Sequence, residues 1–415
     1  MKVLVSAYAC EPGRGAEPGV GWNVVRELSQ EHELWVLTRK KHEREVLECG
    51  EEWIGRVHWV FIDPPRWLTF WKSGRRGLYP FYALWQREAW KHATALEAEN
   101  QFDVIHHLTF GQYWVPTPLS KMEIPFVYGP VGGGESTPPG FAEHYCTKGK
   151  IRELIRDAVR QWLPAIPALK RWYLESDWTL AATEETADAL RRVGITKMEV
   201  LPQSGIGDGD EAERFCLARG PVTKPGNEVL KVVSACRLVH WKAVDLAIEA
   251  VVQAREAGIP VEYTILSEGP EEKILRKLVE RLGAGEFVKF AGKLPQIEDV
   301  FEEVSHSDAL IHPALHEAFG QSCLEAMALG TPVICLDWAG PGLIVDEESG
   351  YAVTPNGRDR TINLLAEALN DCYQDKLDGN TKGAKAAVRA RAVFSWSGLA
   401  KRISDAYRRV VKDGR

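Results

Sequence analysis

Short runs of apolar residues alternate with amphipathic stretches along the chain, and this pattern predicts buried strands separated by helices. Six such runs lie in the first half: 2–7, 33–38, 56–62, 102–107, 124–129 and 178–183. Uninterrupted apolar runs of this kind are typical of strands that are covered on both faces. The first half therefore predicts a parallel sheet between layers of helices.

The same pattern starts again after residues 201–210, which are rich in proline, glycine and aspartate and are typical of a linker. The later apolar runs are 230–236, 261–267, 287–292, 308–313 and 331–337. Helical stretches, such as 243–258 and 271–283, separate them. The second half therefore predicts another doubly wound α/β domain, and a helical run at 399–414 follows it.

The length of 415 residues exceeds what one hydrophobic core usually organises. We therefore predict an N-terminal domain at 1–205, a C-terminal domain at 206–390 and a terminal helix at 391–415. The two domains are expected to face each other across a cleft. Open α/β sheets bind ligands at the carboxyl ends of their strands, so the site is predicted between the two halves.

Composition excludes several classes of protein. With 45% hydrophobic and 26% charged residues, the chain is typical of soluble globular proteins, and its net charge of -7 gives no general attraction to nucleic acid. The N-terminus does not resemble a secretory signal, and no apolar run is long enough to span a membrane. The eight cysteines include no C-x2-C pair, which argues against a zinc site. We expect a cytoplasmic protein.

The segment HEAFGQSCLEAMALGTPVI (316–334) places Glu317 and Glu325 eight positions apart among small and apolar residues. A carboxylate removed from water costs several kcal/mol unless it finds partners. The pattern predicts a loop that carries Glu317 and a helix that begins near Gly320, where backbone N–H groups up to Ser322 can receive an anion such as a diphosphate. The alternative is a capped core helix with a chance acid beside it.

A second group of candidate residues, Arg237 and Lys242, lies in the loop after the first strand of the C-terminal domain. Two fixed cations at the carboxyl end of a strand suit a leaving diphosphate, because arginine can bind two oxygens and lysine supplies a point charge. A solvated surface pair is the alternative. Their position on the same sheet edge as the two glutamates favours the functional interpretation.

These segments resemble family 4 glycosyltransferases. HPALHEAFGQSCLEAMALGTPVI (312–334) resembles their E-x7-E signature, RLVHWKAVDLAIEA (237–250) their phosphate-binding loop, and LSEGPEEKILRKL (266–278) their GxGP segment. The resemblance covers nearly the whole C-terminal domain and is looser in the N-terminal one. It implies a GT-B fold of two Rossmann-like domains, a UDP- or GDP-sugar donor, transfer with retention, and a C-terminal helix that crosses back to the first domain.

The resemblance also implies roles for single residues. Glu317 would bind hydroxyls of the donor sugar and Glu325 the ribose diol, while Arg237 and Lys242 would stabilise charge on the leaving diphosphate. The remaining donor-binding residues of this domain are expected to be Phe319, Gly320, Gln321 and Ser322. Ala243 stands where the family usually has glycine, but this departure removes no charged contact.

In the N-terminal domain, GAEPGVGW (15–22) resembles the family's glycine-rich loop, whose backbone at Gly19 and Gly21 can approach the donor closely. It lacks the spacing of a P-loop or of a dinucleotide fingerprint. His106 and His107 end a predicted strand at the cleft edge, where the family often places a histidine near the reacting sugar. Because side chains alternate along a strand, at most one of them is expected to serve, and the other to be a core histidine.

A metal ion is not expected to take part. The tripeptide Asp208-Gly209-Asp210 matches the D-x-D motif of another glycosyltransferase class. It falls in the predicted linker, where clusters of glycine and aspartate form turns. Since two cations already cover the diphosphate, we predict that neither a metal nor another cofactor is required.

Aromatic and basic residues are mixed in the stretch 64–90. This mixture suits a membrane interface, where rings lie at the level of the lipid headgroups and cations meet anionic lipid. The alternative is an acceptor-side loop and helix packed on the first domain, whose rings can stack on a sugar. The expected acceptor is accordingly a sugar or a lipid-linked sugar, and peripheral contact with the inner membrane face is one interpretation of this stretch.

The prediction is a retaining glycosyltransferase that acts in polysaccharide, glycolipid or glycoside synthesis. One alternative is a nucleotide-sugar epimerase of the same fold, which would need an acid and a base around the second carbon of the sugar. Another is a non-catalytic protein that binds a nucleotide-sugar. The presence of Glu317, Arg237 and Lys242 argues against the latter.

Overall fold

The structure of the protein is a computed structural model that describes residues 1–15, 17–49, 56–74, 76–115, 117–141, 145, 147–162, 166, 176–207, 228–379 and 382–413. The chain divides into two compact units. The first contains Met1–Gly134, Ala158–Ser204 and Trp396–Arg415, and the second contains Glu135–Asp157 and Gly205–Ser395. Each unit contains a parallel sheet with helices packed against it.

The strands of the first unit follow the predicted apolar runs. They are β1 (Lys2–Ala7), β2 (Glu33–Arg39), β3 (Val57–Ile62), β4 (Val104–Thr109), β5 (Phe126–Val131), β6 (Trp178–Ala181) and β7 (Met198–Val200). Among the described residues they form one sheet in the order β3-β2-β1-β4-β5-β6-β7, with parallel pairing throughout. Strand order reverses between β1 and β4, which is the position where open α/β sheets bind ligands.

The strands of the second unit are β8 (Leu230–Ala235), β9 (Val261–Leu266), β10 (Val288–Gly292), β11 (Ala309–His312), β12 (Val333–Leu336) and β13 (Gly350–Val353). Their order is β10-β9-β8-β11-β12-β13, again with parallel pairing. Because β8 and β11 are neighbours, the loops that leave their carboxyl ends emerge side by side. These loops carry the two groups of candidate residues of this unit.

Helices connect the strands in both units. In chain order they are α1 (Glu17–Leu28), α2 (Glu43–Cys49), α3 (Arg66–Thr69), α4 (Leu78–Asn100), α5 (Thr147–Trp162), α6 (Glu184–Arg192), α7 (Val244–Glu256), α8 (Glu272–Arg281), α9 (Ile297–Ser305), α10 (Gln321–Ala328), α11 (Ala339–Ile344), α12 (Arg358–Leu377), α13 (Lys382–Val393) and α14 (Trp396–Asp413). None of the helices in the described part of the chain is long and apolar enough to cross a membrane.

The last helix, α14, lies in the first unit although the second unit precedes it along the chain. It packs against α1, and Leu399, Ile403 and Tyr407 are buried in the same core as the apolar residues of β1 and α1. The apolar pattern alone left the position of this helix open. The family resemblance implied that it returns to the first domain.

The segment Glu135–Asp157 belongs to the second unit, whereas the sequence analysis placed it in the N-terminal domain. The reason is packing, because Phe141 and Tyr145 are buried in the core that also contains apolar residues of β8, α7 and β9. The predicted domain boundary at 205/206 lies one residue from the division between Ser204 and Gly205.

Candidate active site

Two loops of the second unit form the candidate site. The first follows β8 and ends in a short 3₁₀ turn, His240–Lys242, after which Ala243 adopts a left-handed backbone with φ of 49°. This conformation is least costly for glycine, the residue that the family usually has there. The second loop follows β11 and leads into α10. The loops touch directly, because the Leu315 N–H donates to the Trp241 carbonyl at 2.8 Å.

Glu317 has two partners in this site. Its Oε1 atom lies 2.5 Å from Lys242 Nζ, and its Oε2 atom lies 2.6 Å from His312 Nε2. The side chains of Lys242 and Glu317 are only 13% and 22% exposed. The structure thus brings together two of the predicted site residues that lie far apart in sequence, and it explains how a carboxylate is accommodated in an apolar segment.

The charges of this group follow from its geometry. Burial alone would raise the pKa of Glu317, but Lys242 and His312 outweigh it and lower the pKa well below its usual range. Burial opposes the charged form of Lys242, yet Glu317 raises its pKa. Burial and the charge of Lys242 lower the pKa of His312. The site therefore contains a charged lysine–glutamate pair and a neutral histidine, whose Nε2–H donates to Glu317.

Helix α10 begins beside Glu317. Gly320 precedes its first residue with a left-handed φ of 91°, and the first N–H groups of a helix have no partner within the helix itself. Glu325 is the fifth residue of α10, about one turn from its start. Burial raises the pKa of Glu325 to about 7, and a hydrogen bond from the Gln321 side chain opposes this shift.

The backbone of the second loop packs against the first turn of α11. The Gly340 N–H donates to the carbonyl oxygen of Glu317 at 2.8 Å, and a Cβ atom at Gly340 would lie 2.4 Å from the backbone of Phe319. The Phe319 side chain is buried in the core of the second unit beside Phe394. Its side chain is therefore structural, and only its backbone remains for the predicted contact with the donor.

Arg237 and Ser322 do not join the ion pair. Ser322 is half-buried in the first turn of α10, whereas the Arg237 side chain is exposed. Across the part of the chain that the structure describes, no hydrogen bond or ion pair joins the Arg237 guanidinium to another group. The predicted role of Arg237 at the diphosphate stays a prediction.

The glycine-rich segment of the first unit is helical where the sequence analysis predicted a loop. Helix α1 begins at Glu17, so Gly19 and Gly21 lie in its first two turns. A Cβ atom at Gly19 would lie 2.1 Å from the Arg14 carbonyl oxygen, and one at Gly21 would lie 2.2 Å from that of Ala9. These glycines let the preceding chain pack against the helix, and their contact with a donor remains a prediction.

His106 and His107 are both buried on opposite sides of β4. The His106 Nδ1 atom lies 2.6 Å from the Tyr407 hydroxyl, and its Nε2 atom lies 2.6 Å from the Gly129 carbonyl oxygen. Because a carbonyl only accepts, Nε2 donates to Gly129 and Nδ1 accepts from Tyr407. Burial lowers the pKa of His106 to about 4. Both ring nitrogens are engaged, so His106 fits the core-histidine alternative better than the catalytic one.

His107 contacts helix α4 instead. Its Nε2 atom lies 3.3 Å from the Tyr82 hydroxyl, and both side chains are buried. Burial and the neighbouring His106 lower the pKa of His107 to about 3. The ring is therefore neutral at physiological pH, and the catalytic role that the sequence suggested for it stays a prediction.

We expect Tyr407→Phe to destabilise the protein by about 1–3 kcal/mol, because it leaves the buried Nδ1 of His106 without its donor. For a unit of this size the melting temperature should fall by roughly 2–10 °C. The change should be measured by thermal unfolding, with Tyr79→Phe as the control because the Tyr79 side chain is largely exposed. Equal melting temperatures of the two variants would contradict the assignment of His106 as a structural residue.

Sequence reasoning missed His312, which completes the site. Its ring is fully buried at the end of β11 and orients Glu317. The signal was a titratable residue at the carboxyl end of an otherwise apolar strand, five positions before the glutamate. Within the described residues no cluster of three or more His, Cys, Asp or Glu side chains could hold a metal ion. The D-x-D tripeptide at 208–210 lies outside the described residues.

Solved structures identify the fold as GT-B, as predicted. The lipopolysaccharide outer core galactosyltransferase WaaB matches 98% of this chain with 99% of its own, at a TM-score of 0.66 and 14% identity. Anabaena HepE in complex with UDP matches 99% of this chain with 100% of its own, at a TM-score of 0.61 and 18% identity. At these identities the likeness establishes the fold alone.

The sequence comparison gives similarities that lie mainly in the second unit. Residues 221–384 match the model of the family described as Glycosyl transferases group 1. The putative colanic acid biosynthesis glycosyltransferase WcaL of Escherichia coli is 28% identical over 230 residues, 54% of this chain and 54% of that protein. The 2-deoxystreptamine glucosyltransferase of Streptomyces kanamyceticus is 25% identical over 63% of this chain and 66% of its own length. The chain thus spans about half to two thirds of these curated relatives.

Proposed function

We propose that this protein is a retaining glycosyltransferase of family 4 that transfers a sugar from a nucleoside diphosphate to an acceptor hydroxyl. The observation that carries the proposal is the Glu317 carboxylate, held at the carboxyl edge of the sheet by Lys242 and His312 and followed directly by the N-terminus of α10. A fixed anion suits sugar hydroxyls, and a helix N-terminus suits a diphosphate.

In the proposed reaction the acceptor oxygen attacks the anomeric carbon on the face from which the diphosphate leaves. Lys242, Arg237 and the N–H groups of Gly320 and Gln321 stabilise the charge that develops on the leaving group. The acceptor proton passes to an oxygen of the leaving phosphate. Both oxygens of Glu317 already accept from Lys242 and His312, which makes this carboxylate a weak nucleophile and favours direct transfer over a two-step route.

The proposed reaction requires no metal ion or other cofactor. A divalent cation in such reactions neutralises the diphosphate and stabilises the leaving oxygen. Here Lys242 carries a fixed positive charge at the site. The exposed Arg237 lies in the same loop, five residues before Lys242. We therefore expect full activity in the presence of a chelator.

The related proteins suggest which donors and acceptors to try first. HepE was solved with UDP and with UDP-glucose, so UDP-sugars precede GDP-sugars in the order of testing. Several relatives are named for polysaccharide synthesis, among them WcaL and the amylovoran biosynthesis glycosyltransferase AmsK of Erwinia amylovora. We accordingly propose a sugar or a lipid-linked sugar as the acceptor.

The proposal is tested by incubating the purified full-length protein with UDP- and GDP-sugars, with and without sugar and lipid-linked acceptors. With an α-linked donor, transfer that gives an α-linked product, or slow hydrolysis that releases the α-anomer of the sugar, supports a retaining transferase. Release of the inverted anomer would exclude retention. An epimerised donor supports the epimerase alternative, and a rise in melting temperature without any product supports a non-catalytic binding protein.

We expect the affinity for UDP to depend on the ionisation of Glu325. Ribose hydroxyls donate to a carboxylate, and with the pKa of Glu325 at about 7 only the ionised form binds them well. Between pH 6 and pH 8 the affinity of the wild-type protein should therefore rise about tenfold relative to Glu325→Gln, in which position 325 no longer titrates. Calorimetry at several pH values measures this. A constant ratio of the two affinities would rule out Glu325 as the ribose ligand.

The exposed aromatic residues after β3 support a peripheral membrane contact. Trp67 and Phe70 are 74% and 86% exposed, whereas Phe81, Tyr82 and Trp85 of the same stretch are buried in the core of the first unit. The stretch 64–90 is thus divided between an exposed part around α3 and a packed part in α4, and we propose the exposed part as the surface that meets the inner face of the membrane.

We expect the protein to cosediment with vesicles of phosphatidylglycerol and phosphatidylcholine. The double variant Trp67→Ala, Phe70→Ala should bind these vesicles at least about fivefold more weakly, because it loses two rings that enter the headgroup region. The control is Ile274→Ala, which removes an apolar side chain that is 52% exposed in the second unit. If the double variant and the control bind the vesicles equally well, the exposed rings have no role at the membrane.

A further inference from the structure

The Glu153 carboxylate of α5 contacts both loops of the candidate site. Its Oε1 atom lies 3.1 Å from His240 Nε2 and 3.3 Å from His316 Nε2. The first histidine belongs to the loop after β8 and the second to the loop after β11. The Glu153 side chain is only 7% exposed. A single buried carboxylate therefore joins the two loops from the part of α5 that belongs to the same unit.

The two histidines lie next to the residues that form the ion pair. His240 begins the 3₁₀ turn that ends at Lys242, and His316 directly precedes Glu317. The rings of Trp241 and His316 are stacked with centroids 5.5 Å apart, and the His240 ring meets that of Trp241 edge-on at 4.8 Å. Both histidines are thus packed against the same tryptophan. A displacement of either ring would move the backbone that carries Lys242 or Glu317.

Charge holds Glu153 in this position. Arg156, one turn further along α5, places its Nη2 atom 2.7 Å from Glu153 Oε2. Its Nη1 atom lies 2.7 Å from His316 Nδ1 and 2.6 Å from His316 Nε2. Burial alone would raise the pKa of Glu153, but the hydrogen bonds from His240 and His316 and the charge of Arg156 outweigh it and lower the pKa well below its usual range. Glu153 is therefore an ionised group at neutral pH and binds both histidines as a carboxylate.

We propose that Glu153 is a positioning residue of the glycosyl transfer reaction, which aligns Lys242 and Glu317 by holding His240 and His316. The inference rests on the proposed function, since it concerns the chemical step of that reaction. Alignment of the ion pair affects the transition state more than the ground state, because the N-terminus of α10 and Glu325 also hold the nucleotide. Loss of the Glu153 carboxylate should therefore lower kcat more than it weakens donor binding.

The main test compares Glu153→Gln with Asp157→Asn in the full-length protein. Both variants remove one negative charge from α5, but the Asp157 side chain is 56% exposed, lies 3.9 Å from Arg156, and forms no hydrogen bond or ion pair with His240 or His316 among the described residues. For Glu153→Gln we expect kcat to fall about 10- to 30-fold, with the donor KM and the Kd for UDP within about threefold of the wild type. Asp157→Asn should retain the wild-type kcat. A purely structural role would instead lower the melting temperature and impair KM and kcat together.

His316→Asn provides a second route to the same contact if Glu153→Gln folds poorly. It should lower kcat to a similar extent, and the double variant should be no slower than either single variant, because the two residues act as one unit. The titration of His316, followed by NMR of the ring nitrogens, gives a readout that does not need activity. Burial and the charge of Arg156 lower the pKa of His316, whereas Glu153 and, to a smaller extent, Glu135 raise it. The pKa of His316 should therefore fall further in Glu153→Gln.

The outcomes separate the two proposals. If the wild-type protein transfers sugar and both single variants retain its kcat, or if kcat and UDP affinity fall together with stability, the positioning role is wrong and the proposed function stands. If the wild-type protein turns over no donor, the proposed function fails and the positioning role for that reaction fails with it. A selective loss of kcat together with an altered titration of His316 supports both.

Discussion

Glu317→Gln is expected to lower kcat for sugar transfer by about 10²–10³-fold while the Kd for UDP stays within about threefold. The amide keeps the size of the side chain but removes the charge that binds the hydroxyls of the sugar. In this variant Lys242 no longer pairs with a charged Glu317 and can still bind the diphosphate. Nucleotide binding should therefore not weaken. Steady-state kinetics with the intact donor and calorimetry with UDP measure the two effects separately.

The matched variant for this prediction is Glu325→Ala, which should show the opposite behaviour. It removes the proposed ribose ligand and should weaken UDP binding while leaving more of kcat at saturating donor. Both residues belong to the same short stretch of the second unit, so general damage to the site would affect the two variants alike. Wild-type-like kinetics in both, or equal loss of UDP binding in both, would refute the proposed division between sugar and ribose.

Lys242→Met is expected to reduce both stability and turnover. The variant leaves Glu317 largely buried without its cation, and removal of one partner of a buried pair costs about 3–5 kcal/mol. Because Lys242 and Glu317 retain 13% and 22% exposure, we expect about 2–4 kcal/mol, which corresponds to a fall in melting temperature of roughly 5–15 °C. Turnover should fall as well, because the leaving diphosphate loses its fixed cation. Thermal unfolding and kinetics of the same preparation test both parts.

The double variant Lys242→Met, Glu317→Gln serves as the control. It should recover at least half of the lost stability without recovering turnover, because it no longer buries an unpaired charge. The pH dependence has a definite sign. The lowered pKa of Glu317 means that the ion pair stabilises the folded wild type above pH 4.5, and that this stability is lost as the pH falls through the folded pKa. The gap between wild type and Lys242→Met should therefore be widest near pH 7 and should narrow below pH 4.5.

The central strands of both sheets were predictable because burial on both faces gives uninterrupted apolar runs. β7 (Met198–Val200) and β13 (Gly350–Val353) were missed because they have only three and four residues. Runs this short do not stand out from the surrounding loops in the sequence. The two parallel sheets nevertheless followed from the repeated strand–helix pattern, and the GT-B class followed from the family resemblance.

The beginning of α1 shows why local signals can fail. Two glycines within five residues indicate a loop, yet the helix begins at Glu17. Tertiary contacts explain the difference, since the half-buried Glu17 carboxylate accepts from the N–H groups of Phe110 and Gly111 at 2.5 and 3.1 Å. The preceding chain also packs where side chains at Gly19 and Gly21 would lie. Neither contact is visible in the local sequence.

For the candidate site, the sequence indicated which residues lie at the sheet edge but not how they interact. Lys242 and Glu317 were both singled out, each for its own contact with the donor, and their direct ion pair depends on the neighbouring positions of β8 and β11. Glu153 carries no recognisable motif, and its importance follows only from burial next to charged groups, which requires the folded structure. His312 was marked in the sequence by its position at the end of an apolar strand, but its contact with Glu317 is visible only in the fold.

The position of α14 in the first unit affects how the protein is made. The Tyr407 hydroxyl meets the His106 ring 301 residues earlier in the chain, so the core around β4 stays incomplete until α14 has been synthesised. All segments of the second unit precede α14 along the chain, so the whole second unit is synthesised while the first unit still lacks its last helix. Until α14 is available, the newly synthesised N-terminal half exposes apolar surface. We therefore expect chaperone binding, and aggregation during expression, to begin in this half.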